Sequence, residues 1–369
     1  MKKLAAIALL LLISPLLVTS CYAEGLYDQL GEAAGVYTVE DGLRQEEKEI
    51  LGDLRLDGSY DSEGALRRLW ESMIRKAKTA AGDELGRITA LLALAMGSAL
   101  ACILTEKKNY SAIAEIAACA AAANELIRNV DGVFSQCREA ILRLSDYSKA
   151  AIPVLFTAAG AGGAVVSAPA RYAAACLALD VLLSAAQNGI LPMIHLFVAV
   201  SIARCLFDNA VLRAAAQFMK WAILTSMTFL TILFSAYIGI TGVVSGSADA
   251  LAVKTARTVI SSALPVVGGI LSDSAGVLLS AAAVIKNTAG LFSLIAVSVL
   301  CAGPLVLLLI KYLLYRMVST VVEMLPGSRL PGLIGDVGTS FGLLLGLIGC
   351  CAIMLFVSIM SGIRMVSGS

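Results

Sequence analysis

Residues 258–290 read TVISSALPVVGGILSDSAGVLLSAAAVIKNTAG, and this stretch decides the class of fold. It is apolar enough to enter a bilayer, yet it holds Pro265, the pair Gly268 and Gly269, then Asp273 and Gly276. Inside lipid every backbone N–H and C=O must find a partner within the protein, so a proline followed by paired glycines marks a helix break. A carboxyl group at that depth costs about 2.5–3.5 kcal/mol on insertion scales, so Asp273 is expected to face protein or a water-filled cavity. A broken apolar segment with an acid near its middle is how a membrane pathway is built. A kinked helix with Asp273 near the interface is the plainer reading of the same residues.

The remainder of the chain agrees with a membrane setting. Of its 369 residues 59% are hydrophobic and 15% charged, where soluble domains carry about 25% charged residues. The expected fold is an all-α polytopic membrane protein with about six to eight membrane helices. A formal net charge of +1 and the lack of any basic block give nucleic acid nothing to bind. Nine cysteines, single except for Cys350 and Cys351, show no paired spacing and read as small apolar packing residues. One histidine, His195, rules out a multi-histidine metal site.

Residues 1–23 have the parts of a secretory signal: Lys2 and Lys3, an apolar run, and small residues before Glu24. Cleavage is expected after Ala23; the run Val18-Thr19-Ser20-Cys21 also resembles a lipobox that would leave Cys21 lipidated, and an uncleaved anchor is a third possibility. Residues 24–87 form an acidic, amphipathic segment expected outside the cytoplasm. Within it Leu66, Leu69, Trp70, Met73, Ile74 and Ala77 recur at helical spacing among basic residues. That pattern fits a helix packed on its neighbours or one lying on the membrane surface, and either could meet a partner. Residues 88–149 supply the first span, 88–104, then Lys107 and Lys108, an alanine-rich helix and a mixed-charge connector.

The second part of the chain repeats an order of elements. Ala151-Ile152-Pro153-Val154 matches Ala263-Leu264-Pro265-Val266, and the hexapeptide from Gly163 matches the one from Gly276. Apolar runs 189–203 and 290–304 follow, then basic segments 204–220 and 311–329, then closing spans 221–242 and 338–362. This reads as two weakly similar membrane units, 150–246 and 258–362, each with a Pro/Gly-broken hairpin. The excess of Lys and Arg places both basic segments on the cytoplasmic face. Residues 258–285 must then cross an even number of times, as a re-entrant loop or a tight hairpin.

Catalytic patterns are missing. There is no G-x-x-x-x-G-K-[ST] loop and no H-E-x-x-H. The glycine run 160–163 suits close helix packing in lipid better than phosphate binding. Asp180 and Asp273 do not occupy matching places in the two units, so an aspartyl protease dyad is not supported. No motif sets His195 beside Ser245 or Ser247, and His195 is expected in the core, hydrogen-bonded across helices. No catalytic, cofactor-binding or metal-ligating residue is therefore expected. The candidate pathway and helix-break positions are Pro265, Gly268, Gly269, Asp273 and Gly276, with Pro153 and Gly163 in the first unit.

Residues 261–287, SSALPVVGGILSDSAGVLLSAAAVIKN, resemble the most characteristic stretch of the stage III sporulation protein AE family. The signal-like start, the acidic segment and the multi-span body agree. The resemblance implies an endospore-forming source and a component of the channel complex that joins mother cell and forespore, in the mother-cell membrane. It further implies action with other stage III sporulation A proteins, including a cytoplasmic ATPase and the AH protein, and through the latter with stage II sporulation protein Q. It supplies no catalytic residues. The rival classes are a stand-alone secondary transporter and a membrane scaffold without its own pathway.

Overall fold

A computed structural model describes residues 38–52, 60–104, 108–161, 167–207, 209–243, 268–325 and 329–364. The described residues are helical apart from short turns, with no strand among them. In chain order they form α1 (Thr38–Asp41), α2 (Gln45–Leu51), α3 (Ser62–Leu104), α4 (Lys108–Ala161), α5 (Ser167–Ala185), a π-helical turn (Ala186–Ile190), α6 (Leu191–Phe207), α7 (Ala210–Val243), α8 (Gly268–Glu323) and α9 (Leu330–Arg364). Five helical segments are long and apolar enough to cross a membrane: Ser62–Leu104, Tyr172–Phe207, Ala210–Ala236, Asn287–Glu323 and Leu330–Ile363.

Local chemistry accounts for the helix ends. The Asp61 carboxylate accepts from the Gly64 N–H at 2.9 Å, and the Asn209 side-chain oxygen accepts from the Val211 N–H at 2.9 Å. Each satisfies a backbone donor that the first turn leaves open. Pro331 sits in the first turn of α9, where a missing N–H costs nothing. The π turn precedes Pro192, which has no N–H to offer the Asn188 carbonyl; widening the preceding turn lets the helical run continue through it.

The hairpin of α8 and α9 is the spine. Glycines on α9 let the two backbones approach: a Cβ on Gly338 would lie 3.1 Å from the Tyr315 Cβ and 3.5 Å from the Arg316 nitrogen. A Cβ on Gly342 would lie 3.0 Å from the Tyr312 ring, and one on Gly335 would lie 2.8 Å from the Ser319 hydroxyl. Lipid gives no hydrophobic drive between helices, so close van der Waals approach of this kind is what holds a spanning hairpin together.

Two unlike flanks cover the spine. On one side α3 runs parallel to α8, with Tyr60 against Phe292 at 5.5 Å between ring centroids and Lys76 beside Gly303. Antiparallel α4 packs on both spine helices, and α2 closes over it through Arg143 and Glu47. On the other side α6 and α7 pack on α9, with Met227 beside Gly346. Outward-facing Phe218, Trp221, Phe229, Ile232 and Leu233 make the surface of α7 apolar, which suits acyl chains. The α3 flank instead exposes Arg67, Glu71, Arg75 and Lys78, with Leu66, Trp70 and Ile74 among them.

Three expectations meet the structure here. Helix α3 runs unbroken through residue 87, so its polar half is a wall of the bundle and not a separate segment. Helix α8 begins at Gly268, a boundary where the Pro265–Gly269 break was expected, and then continues to Glu323 without a turn. A hairpin inside residues 268–285 is therefore absent; residues 258–267 lie outside the described residues. Pro153 does not interrupt α4, which continues to Ala161.

Candidate functional site

A buried polar cluster sits where α3, α4, α8 and α9 meet. Lys311 of α8, only 3% exposed, donates to Glu84 of α3 and, at 2.7 Å, to the Asn129 carbonyl oxygen of α4. The Asn129 amide nitrogen donates to the Tyr315 hydroxyl at 2.6 Å and to the second Glu84 oxygen at 3.2 Å. Arg87 donates to the first Glu84 oxygen at 2.9 Å and to the Asn129 oxygen at 2.7 Å. The Lys311 ammonium also lies 5.7 Å from the centroid of the Phe341 ring on α9. Every polar atom of Asn129 is thereby used, and one carboxylate is shared by two cations. A satisfied network of this kind fixes register, because any slip of one helix strands a charge in an apolar interior.

Toward the other end of α3 the same seam opens into a polar groove of about 740 Å³. Its walls carry Arg44, Glu47, Arg68, Glu71, Arg75, Lys76, Glu139 and Arg143, and its floor is Val299, Leu300, Gly303 and Pro304 of α8. The floor lies within the apolar run 291–310, which at about 1.5 Å per residue is about 30 Å long, the thickness of a bilayer core. Pro304 has no N–H for the Leu300 carbonyl, and both residues line the groove. Charged side chains thus reach an under-paired stretch of backbone at the middle of a membrane-length helix.

The two basic turns come together at one end. Arg204, at the end of α6, pairs with Asp336 of α9 at 2.7 Å, and the Cys205 sulfur lies 3.8 Å from the Arg329 carbonyl. The sulfurs of Cys205 and Cys119 touch across α6 and α4. Arg329 pairs with Glu115 at 3.4 Å, and Cys102 donates to Glu115 at 3.6 Å, so the end of α3 and the start of α4 reach the same place. This arrangement of termini is that of a membrane bundle with its basic turns gathered on one side.

A family model described as stage III sporulation protein AE matches residues 57–365. The chain belongs to the stage III sporulation protein AE family. It is 20% identical over 221 residues to the stage III sporulation protein AE of Bacillus subtilis (strain 168), a match covering 60% of this chain and 55% of that relative. The chain therefore spans about half the length of the curated relative it matches. No solved structure matches it.

Within this family member the expected positions do not form one site. Gly268, Gly269, Asp273 and Gly276 lie in the first turns of α8, and Pro153 lies in the last third of α4. Pro265 and Gly163 fall outside the described residues. Asp180 is exposed and faces Lys149 at 4.0 Å. His195 is not in the core: it is exposed on α6, its ring tilted against Phe134 at 4.7 Å between centroids and its Nε2 3.5 Å from Asp131 on α4. Its contacts do cross helices, but the crossing is at the bundle surface.

The polar seam escaped the sequence because its members stand far apart and look ordinary alone. Glu84 reads as one acid in a polar segment, Asn129 as part of a connector, and Lys311 as a basic flank. Pro304 did carry a signal, since Gly303-Pro304 inside an apolar run obeys the same reasoning that singled out Pro265.

Proposed function

We propose that this chain is a multi-pass component of the sporulation channel complex in the membrane between mother cell and forespore. In this reading the groove over α8 contributes a hydrated wall to the route. The observation that carries it is the groove floor at Gly303 and Pro304, where charged side chains approach the middle of a membrane-length helix. An anchor or scaffold has no use for water at that depth, and a pathway component does.

The gathered basic end faces the cytoplasm of the mother cell and meets the cytoplasmic ATPase of the complex. The opposite end meets the extracytoplasmic AH protein, and through it stage II sporulation protein Q. The N-terminal segment lies on the extracytoplasmic side. Two observations support the first assignment: the positive charge of both turns, and their shared position in the bundle.

The test is solvent access combined with function. In a version stripped of native cysteines, Gly303→Cys should react with an impermeant hydrophilic thiol reagent applied to the purified protein in nanodiscs. Leu233→Cys, on the lipid-facing side of α7, should not. In the endospore-forming host, Gly303→Trp should fill the groove and arrest forespore development while the protein still accumulates in the membrane. Normal spore counts in the tryptophan variant would favour the scaffold.

A further inference from the structure

The basic end contains a cavity of its own. It measures about 280 Å³ and is lined by Arg204, Cys205, Arg213, Arg329 and Leu333, from α6, α7, α9 and the turn before α9. We infer that this cavity is a binding site for a phosphate-bearing anion, and that an anionic phospholipid headgroup is its ligand in the membrane.

Charge is the first argument. With Lys311 spent on Glu84 in the buried seam, segments 204–220 and 311–329 still hold five cations, Arg204, Arg213, Lys220, Arg316 and Arg329, against Asp208 and Glu323. Glu115 and Asp336 add two carboxylates that hold Arg329 and Arg204 in place, which leaves a surplus of one positive charge, and three of the five cations line the one cavity. Three guanidinium groups line this one cavity, and their planar N–H forks have the geometry that suits phosphate oxygens.

Position is the second. The cavity lies at the ends of spanning helices, where the headgroup layer runs, and basic pockets between helices at that level suit anionic headgroups. Exposed Phe207 and Val211 stand two residues from Cys205 and Arg213, with Phe218 and Trp221 about two turns further along α7. An acyl chain can lie along these side chains while its phosphate enters the cavity. The inference depends on the bundle lying in a bilayer and not on its place in the sporulation complex.

The experiment uses the full chain, purified in detergent and stripped of lipid. It is offered phosphatidylglycerol or phosphatidylcholine with the same acyl chains, and the lipid retained is read by native mass spectrometry. Inorganic phosphate serves as a soluble competitor and, alone, as a ligand in a thermal shift. Phosphatidylglycerol should be retained over phosphatidylcholine, and Arg213→Gln should weaken that retention about fivefold. Arg213→Glu should abolish the preference, while Arg67→Glu, on the far part of α3, should leave it intact. Retention insensitive to phosphate identifies the lipid as the source. A thermal shift by phosphate that vanishes in Arg213→Glu, with competition against the lipid, identifies a soluble phosphate. Equal retention of the two lipids with no effect of phosphate, or an unchanged preference in Arg213→Glu, overturns the site.

Discussion

Lys311 donates a hydrogen bond to Glu84, a residue 227 positions earlier in the chain, and the pair is buried where α3 crosses the spine. Removing one partner leaves the other charged and buried, which costs about 3–5 kcal/mol. Glu84→Ala should therefore lower thermal stability in detergent sharply. Glu84→Gln combined with Lys311→Gln should lose less than Glu84→Ala alone, since no buried ammonium is stranded and Arg87, which loses the same carboxylate, is partly exposed. A double variant as damaged as the sum of its singles would show that the two residues act independently.

The spine makes a separate prediction. A side chain at Gly338 meets the Tyr315 Cβ and the backbone of Arg316, neither of which can move without parting the helices. Gly338→Leu should cost at least about 1–3 kcal/mol, the usual penalty of overpacking. Gly349→Ala has open space around its Cβ and should be silent. Limited proteolysis of the two purified variants compares them directly.

Asp273 lies in the first two turns of a helix that starts at Gly268. On the pathway reading, Asp273→Leu should impair spore formation while membrane insertion is retained, because leucine adds no charge or polar group to the helix. Asp273→Glu should be milder. Wild-type spore counts in Asp273→Leu would make the carboxyl incidental.

Much of the fold was legible because the signals for it are local. Apolar runs of membrane length marked α6 through α9, and the glycine pair at 268–269 marked the start of α8. Register was not legible, since it is set by contacts such as Tyr60 on Phe292 and Lys311 on Glu84 that no window of sequence contains. That register makes residues 62–87 a wall of the bundle, which is the packed-helix alternative of their amphipathic pattern. Pro153 misled for a related reason. Pro153 removes one backbone donor, yet packing on neighbouring helices carries α4 through it. The groove depends on the same register, which sets Lys76 of α3 beside Gly303 of α8.

The central claim is a membrane bundle whose two basic turns share the cytoplasmic side. Single cysteines at Asn209 and Met324, in the cysteine-free background, test it most directly. Intact cells are treated with an impermeant thiol reagent, and a second sample is permeabilised first. The account predicts that both positions stay unlabelled in intact cells and that both label after permeabilisation. Labelling of either position in intact cells would contradict it.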